Sequence, residues 1–163
     1  MTCAIMEKVH CSPASGSDLA WPMLLKHLQQ VRLGKNMSNP LFCEWHTPHG
    51  LPPFEEIKPD HFEEAFIAGF KQNNAEINAI VTCPEKPTFV NTIEELERSG
   101  KLLRRVEAVF FNLAIAHTND QIQALELKIA PLLALHEAKI YQNSKLFERI
   151  TQVKQTAIGL END

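Results

Sequence analysis

A chain of 163 residues, 44% apolar and 22% charged, has the length and composition of one globular domain with its own core. Its net charge of −4 argues against nucleic acid or a membrane as a partner, because both attract basic surfaces. No apolar run approaches the roughly 18 residues of a spanning helix. Four scattered cysteines cannot form a disulfide framework in a chain of this length. Together with the lack of a secretory signal, they predict reduced thiols in a cytoplasmic protein.

Residues 1–36 differ in composition from the rest of the chain. They mix Ser, Pro and Gly with four basic and two acidic side chains, a net +2, which leaves −6 for the remainder. Leu19 to Leu33 could form a short amphipathic helix, but Trp21-Pro22 interrupts its start. We interpret Met37 as the native start and residues 1–36 as an upstream extension, non-native or disordered. The alternative is a genuine disordered tail.

Residues 37–58 form a proline-rich lead-in to the helical part of the chain. Each proline removes a backbone donor and disfavours helix at the residue before it. Apolar side chains occur throughout this segment, which a free linker would lack, so we expect the lead-in to pack on something. These side chains are Leu41, Phe42, Trp45, Leu51, Phe54 and Ile57.

Residues 59–163 are predicted to be helical, beginning with a helix at Pro59, a favoured first helical position. Its buried face is predicted from apolar residues at helical spacing, and Cys83-Pro84 ends it. That face comprises Phe62, Phe66, Phe70, Ile77 and Ile80. A second helix should begin with Asn91 or Thr92 as its cap and run to near His117. Gly100 would then lie in mid-helix, compensated by close helix packing.

A third helix is predicted to start at Thr118 and to kink at Pro131, whose nitrogen cannot donate to Leu127. Asn143 or Ser144 should cap a fourth helix, and Gly159 should end it. No segment alternates with period two for long enough to form a strand. The fold class is therefore all-α, with long antiparallel helices and short connections.

Two near-motifs for metal binding occur in the sequence. His136-Glu137 begins a His-Glu-x-x-His pattern, but Ile140 stands at the second ligand position, so we interpret His136 as a packed histidine. Cys43, His46 and His49 have a C-x2-H-x2-H spacing. That cluster is either a Trp-anchored turn with exposed histidines or part of a zinc site that lacks a close second pair.

Other residue types suggest no chemistry. The glycines are isolated, so nucleotide binding has no support. A basic cluster on the second helix is flanked by glutamates, which predicts ion pairs along the helix. It consists of Arg98, Lys101, Arg104 and Arg105, flanked by Glu94, Glu95, Glu97 and Glu107. We assign no catalytic, cofactor-binding or metal-binding residue in this chain.

Five ordered stretches resemble the N-terminus of bacterial peptidyl-dipeptidases, of the thimet oligopeptidase family of zinc metallopeptidases. The first is Trp45 to Phe54 with Ile57 to Phe62, and the second is Pro87 to Ile93. The third pairs Ser99-Gly100 with Val109 to Leu113, and the fourth is Ala116 to Asp120. The fifth pairs Ile140 to Asn143 with Leu146-Phe147. The resemblance covers about residues 39–163 and leaves out residues 1–36.

The resemblance implies a fold of two helical lobes enclosing a narrow channel that admits short peptides. It also implies a zinc ion held by a His-Glu-x-x-His helix and a later glutamate, which activates water for peptide hydrolysis and release of C-terminal dipeptides. In the family that motif lies several hundred residues beyond Asp163, so no zinc or catalytic residue is carried over to this chain. The partners implied are the remainder of the peptidase and, in the whole enzyme, short peptides.

Three hypotheses follow. The first is an N-terminal helical segment of a cytoplasmic zinc peptidyl-dipeptidase, inactive alone. The second is a stand-alone helical interaction module derived from that family. The third is a small metalloprotein that uses Cys43, His46 and His49.

Overall fold

A computed structural model describes residues 39–160 of the chain, with side chains as far as residue 157. Four long helices and one short helix make up most of this range, and no strand occurs in it. The helices are α1 (Pro59–Thr82), α2 (Glu95–Arg98), α3 (Lys101–Ala116), α4 (Asp120–Tyr141) and α5 (Ser144–Leu160). A π-helical turn, Phe89–Glu94, precedes α2, and two 3-10 turns, Pro40–Phe42 and Pro48–Gly50, lie before α1. The predicted all-α fold class is confirmed.

The helix α1 begins at Pro59 and is capped at its end by Cys83, as predicted. Proline is tolerated there because the first helical N–H groups have no partner within the helix. The His61 Nδ1 accepts a hydrogen bond from the backbone N–H of Lys58 at 3.2 Å, which satisfies one of the unpaired donors at the helix start. The apolar face predicted for α1 is buried along its whole length.

The main hydrophobic core lies between α1, α3 and α4. The rings of Phe62 and Phe66 on α1 meet Phe110 of α3 edge-on, with centroids 5.1 and 5.3 Å apart. Ile122, Leu125, Ile129 and Leu133 complete this core from α4. A second, smaller cluster joins the end of α1 to the start of α5 through Ile77, Ile80 and Leu146. These contacts make α1 the central helix of the described residues.

The prediction that Gly100 lies in mid-helix is wrong, because the chain breaks between α2 and α3. Gly100 has φ of +71°, a left-handed conformation that residues with a Cβ rarely adopt. Its N–H donates to Glu76 Oε2 of α1 at 2.7 Å. A Cβ at this position would lie 3.1 Å from Asn73 Nδ2. The predicted close packing at Gly100 is therefore present, but it coincides with a break instead of stabilising a continuous helix.

The predicted caps are correct for one of three helices. Thr88 caps the π-helical turn reciprocally with Asn91, so the predicted caps at Asn91 and Thr92 are wrong by three or four positions. Asn119, and not Thr118, caps α4 by accepting from the N–H of Ile122 at 2.9 Å. Asn143 caps α5 as predicted, accepting from the N–H of Leu146.

The sequence also contains a proline and a glycine at positions predicted to affect α4 and α5. Pro131 lies inside α4, as the sequence pattern indicated, and the kink expected there stays a prediction. Gly159 lies within α5, so the predicted stop at that glycine is wrong.

The lead-in packs on the core only in part. Leu41 is fully buried and Ile57 nearly so, and the Trp45 Nε1 donates to the Pro40 carbonyl at 2.9 Å. The expectation that the lead-in packs on something is confirmed by Leu41 and Ile57, whereas Leu51 and Phe54 remain exposed. The predictions on residues 1–36, including the amphipathic stretch from 19 to 33, and on Met37 lie outside the described residues.

Candidate functional site

An open cavity of about 520 Å³ is lined by residues of all five helices. The cavity is bounded by α1 through Asn73 and Ile77, by α3 through Leu103 and by α4 through Ile140. Leu96 of α2, together with Leu146, Phe147 and Ile150 of α5, adds further apolar surface. A concave, mostly apolar site with a few polar groups is the usual form of a ligand pocket.

His136 is a buried side chain in the wall of this cavity, with 2% of its surface exposed. Its Nε2 donates to Asn73 Oδ1 at 2.7 Å, a tautomer assigned from the partner, since an amide oxygen only accepts. Its Nδ1 is buried and has no hydrogen-bond partner among residues 39–157. Burial lowers the pKa of His136 below its usual value, so the ring is neutral at pH 7. The interpretation of His136 as a packed histidine is confirmed.

Glu107 and Glu137 place two carboxylates beside the same cavity, one from α3 and one from α4. Glu107 is half-buried and makes no hydrogen bond or ion pair with any residue that the structure describes. Burial raises the pKa of Glu107, the charge of Glu137 raises it further, and Arg104 opposes both. The negative charge at the cavity is therefore only partly compensated.

The three arginines of the basic cluster make three different kinds of contact. Arg98 forms ion pairs with Glu94 and Glu95 at 2.6 and 2.9 Å, as predicted. Arg104 instead donates to the backbone carbonyls of Ser99 and Glu97, so the predicted pairing with glutamates is wrong there.

Arg105 connects α3 to the lead-in and also departs from the predicted ion pairing. Its guanidinium donates to the carbonyls of Leu41 and Cys43 and lies 5.1 Å from the centre of the Trp45 ring. Burial lowers the pKa of Arg105, although the group remains charged because its usual pKa is so high.

The described residues do not fit a metal ion. Among residues 39–157, no group of three or more His, Cys, Asp or Glu side chains is placed to hold one. Cys43, His46 and His49 are therefore not brought together as a ligand set, which removes the support for the third hypothesis. The zinc implied by the resemblance does not fit this part of the chain. No helix of the described range is long and apolar enough to cross a membrane.

Sequence reasoning missed two residues of the cavity. Asn73 interrupts the apolar face of α1 between Phe70 and Ile77, and a polar residue at such a position signals a buried hydrogen bond. Glu107 was assigned only to helix ion pairs. Nothing in the local sequence indicates its half-buried position, because that position depends on how the helices around the cavity pack together.

The fold and the site define an all-helical protein whose described residues contain a cavity but no metal-ligand set. Over 128 residues the chain is 42% identical to the dipeptidyl carboxypeptidase of Salmonella typhimurium strain LT2. Over 127 residues it is 40% identical to the dipeptidyl carboxypeptidase of Escherichia coli strain K12. No protein-family model matches the chain.

Each match covers 77% of this chain but only 19% of the relative, so the chain spans about a fifth of the length of the curated relatives it matches. The resemblance to bacterial peptidyl-dipeptidases is confirmed. Over the matched segment, this chain is a homologue of the dipeptidyl carboxypeptidases.

Proposed function

We propose that this chain supplies a helical part of the channel wall of a cytoplasmic zinc peptidyl-dipeptidase. Such an enzyme hydrolyses short peptides and releases dipeptides from their C-terminus. The observation that carries the proposal is the identity of 40 to 42% with two dipeptidyl carboxypeptidases. Zinc and the groups that activate water would belong to other residues of the enzyme, because residues 39–157 offer no ligand set.

The outer face of α4 supports a role as part of a larger helical assembly. Leu127 and Leu135 are 79% and 46% exposed, and Pro131 between them is also exposed. A helix with apolar residues on its outer face as well as on its core face is usually covered on both sides. Exposed apolar surface of this kind marks an interaction site. We propose that the remainder of the peptidase covers this face.

A segment exchange tests this proposal. Residues 39–160 would replace the matching segment of the Escherichia coli dipeptidyl carboxypeptidase, and release of dipeptides from a short peptide would be measured. We expect the chimaera to keep activity within about tenfold of the parent, because the exchanged segment contributes wall surface and no chemistry. Deletion of the segment is the control and should abolish activity. A soluble, folded chimaera without activity would contradict the proposal.

The second candidate is a stand-alone helical interaction module, which the same exposed face of α4 would also suit. The two candidates differ in what they bind. The module predicts a stable complex between this chain and an unrelated protein. The channel-wall proposal predicts association with the rest of the peptidase, and a Leu127→Ser/Leu135→Ser variant should weaken it.

A further inference from the structure

We propose that the last part of α4, residues 134–141, separates from α1 when His136 takes up a proton, which makes it an acid-sensitive element of the fold. Residues 134–141 are called the distal segment. Its separation would widen the open cavity, which the distal segment lines through His136, Glu137, Ile140 and Tyr141. The inference goes beyond the proposed channel wall, because it assigns a conformational change to this chain itself.

The distal segment is held to α1 mainly by one side chain. His136 is the one buried residue of α4 beyond Leu133. Its Nε2 donates to Asn73 Oδ1 at 2.7 Å, and its ring centre lies 5.1 Å from that of Phe70. Ile140 is only partly buried against the smaller core cluster. A helical segment with so few buried contacts opens at a lower free energy than the core does.

The surroundings of His136 disfavour a second proton on its ring. In the neutral ring, Nε2 carries the proton that is donated to Asn73, so a further proton would bind at Nδ1. Nδ1 is buried and has no hydrogen-bond partner among residues 39–157, so the new N–H would have no acceptor there. A buried charge and a buried unpaired donor both cost free energy. Separation from α1 exposes the ring to water and removes this cost.

None of the charged groups around His136 is bonded to Nδ1. Burial has the largest effect on the pKa of His136 and lowers it, while Glu137 raises it and Lys139 lowers it further. From α1 the ring faces Phe70 and Asn73, which do not titrate. The residues of α5 that line the cavity are uncharged. The charged residues of the other helices around the cavity are Glu76 of α1, Glu97 of α2, and Arg104 and Glu107 of α3.

Pro131 provides a point at which α4 can bend before the distal segment. Its nitrogen carries no hydrogen, so the bond to the carbonyl of Leu127 that a regular helix would have cannot form. On the other side of this point, Ile122, Leu125 and Ile129 belong to the main core. The distal segment can therefore move by bending at Pro131 while the first half of α4 stays packed.

Amide hydrogen exchange of the full chain at pH 7 and pH 5 tests the proposal. Exchange rates divided by those of unstructured peptides at the same pH give the open population for each amide. We expect the amides of residues 135–141 to be open up to about 25-fold more often at pH 5. This is the ratio for a group that binds its proton with a pKa of 6.5 when open and not at all when closed.

A comparison with the core separates this local opening from unfolding of the whole protein. At pH 5 the open population of residues 135–141 should exceed that of residues 103–110 in α3 by at least about tenfold. Low concentrations of urea should leave exchange in the distal segment unaltered, because local opening exposes little surface. Equal open populations in the two segments would show global unfolding and would overturn the proposal.

Two variants with matched chemistry assign the effect to His136. His136→Gln should remove the acceleration between pH 7 and pH 5, because every other group still titrates. His117→Gln, which replaces an exposed histidine after α3, should leave the acceleration unaltered. Acceleration that persists in His136→Gln, or that is absent from the parent protein, would overturn the proposal. If His136→Gln does not fold, the parent decides, because its acceleration must begin near pH 6.5 and not near pH 4.5, where carboxylates titrate.

A third variant tests the bend at Pro131. Pro131→Ala restores the hydrogen bond to Leu127, which bending would have to weaken. It should lower the open population of residues 135–141 by about twofold to tenfold at both pH values, the effect of one hydrogen bond. An open population equal to that of the parent would overturn the role of Pro131.

Discussion

Glu107 is the side chain whose charge is least well accommodated among the residues of the cavity. Its pKa is raised above the ordinary value of 4.5 by burial and by Glu137. The folded state therefore binds this proton more tightly than the unfolded state does. Consequently the contribution of Glu107 to stability is greatest at low pH and is lost as the pH rises through its raised pKa.

Glu107→Gln should for this reason raise the free energy of unfolding at pH 7, by roughly 0.5 to 1 kcal/mol. The gain should shrink as the pH falls toward 4.5, because the carboxyl of the parent protein is protonated more fully as the pH falls through its raised pKa. Urea denaturation at several pH values measures it, with Glu126→Gln as the control outside the cavity. A variant that is less stable than the parent at pH 7 would show that Glu107 has a favourable partner.

His136 has the opposite dependence on pH. Because burial lowers its pKa below 6.5, the unfolded state binds this proton more tightly than the folded state. Its contribution is fully present above about pH 6.5 and declines as the pH falls below that value. The stability of the parent relative to His136→Gln should therefore decrease between pH 7 and pH 5. If the difference in unfolding free energy between the parent and His136→Gln stays constant over this interval, the ring is not desolvated.

Gly50 and Gly100 form a natural pair for testing the helix break. Both have positive φ, but a Cβ on Gly50 meets nothing within 4 Å whereas one on Gly100 meets Asn73 at 3.1 Å. Gly50→Ala should cost about 1 kcal/mol from backbone strain alone. Gly100→Ala should cost about 1 to 3 kcal/mol more, because Asn73 must move and its bond to His136 is strained. Equal losses in denaturant unfolding would show that the contact with Asn73 is loose.

At the scale of helices, one side chain of α3 makes the hydrogen bonds between that helix and the lead-in. Arg105 donates two hydrogen bonds to carbonyls of the lead-in and stacks on Trp45. Lysine keeps the charge but has neither the planar fork nor the same affinity for an aromatic face. The segment from residue 39 to residue 45 is therefore expected to depend on arginine specifically.

Arg105→Lys should lower the free energy of unfolding by about 1.5 to 3 kcal/mol, the range for bonds to a charged donor. Amide hydrogen exchange should accelerate first at Leu41 and Phe42. Arg98→Lys, whose parent side chain is exposed and paired along its own helix, should change neither measurement. Unaltered exchange in the lead-in of the Arg105 variant would contradict this role.

The helices could be predicted from the sequence where one apolar face repeats without interruption. The face of α1 and the start at Pro59 followed from periodicity and from the fixed φ of proline. The break at Gly100 could not be predicted, because glycine is tolerated inside helices. Its left-handed conformation is selected by Glu76 and Asn73, which are more than twenty residues away in the chain.

The candidate site was less predictable than the helices. The burial of His136 followed from its place on the apolar face of α4. Its partner Asn73 and the neighbouring Glu107 could not be assigned, since the cavity is formed by residues from all five helices. Local patterns contain no information about such an arrangement.

At the scale of the whole molecule, the central feature is an all-helical segment with one well-packed core and additional apolar surface. The core lies between α1, α3 and α4, while the outer face of α4 exposes Leu127 and Leu135. The match covers only 19% of the length of each relative. An exposed apolar face of this kind is typical of a surface that packs against other helices. The proposed role of the segment is to shape the channel while other residues hold the zinc.

The most direct measurement is dipeptide release from a short peptide by three samples: this chain alone, the Escherichia coli relative lacking its matched segment, and the two together. We expect no release above background by either sample alone and zinc-dependent release by the mixture. Zinc content measured on each sample should be stoichiometric only where the relative is present. Dipeptide release by this chain alone, with bound zinc, would show that the proposed role as a channel wall without chemistry is wrong.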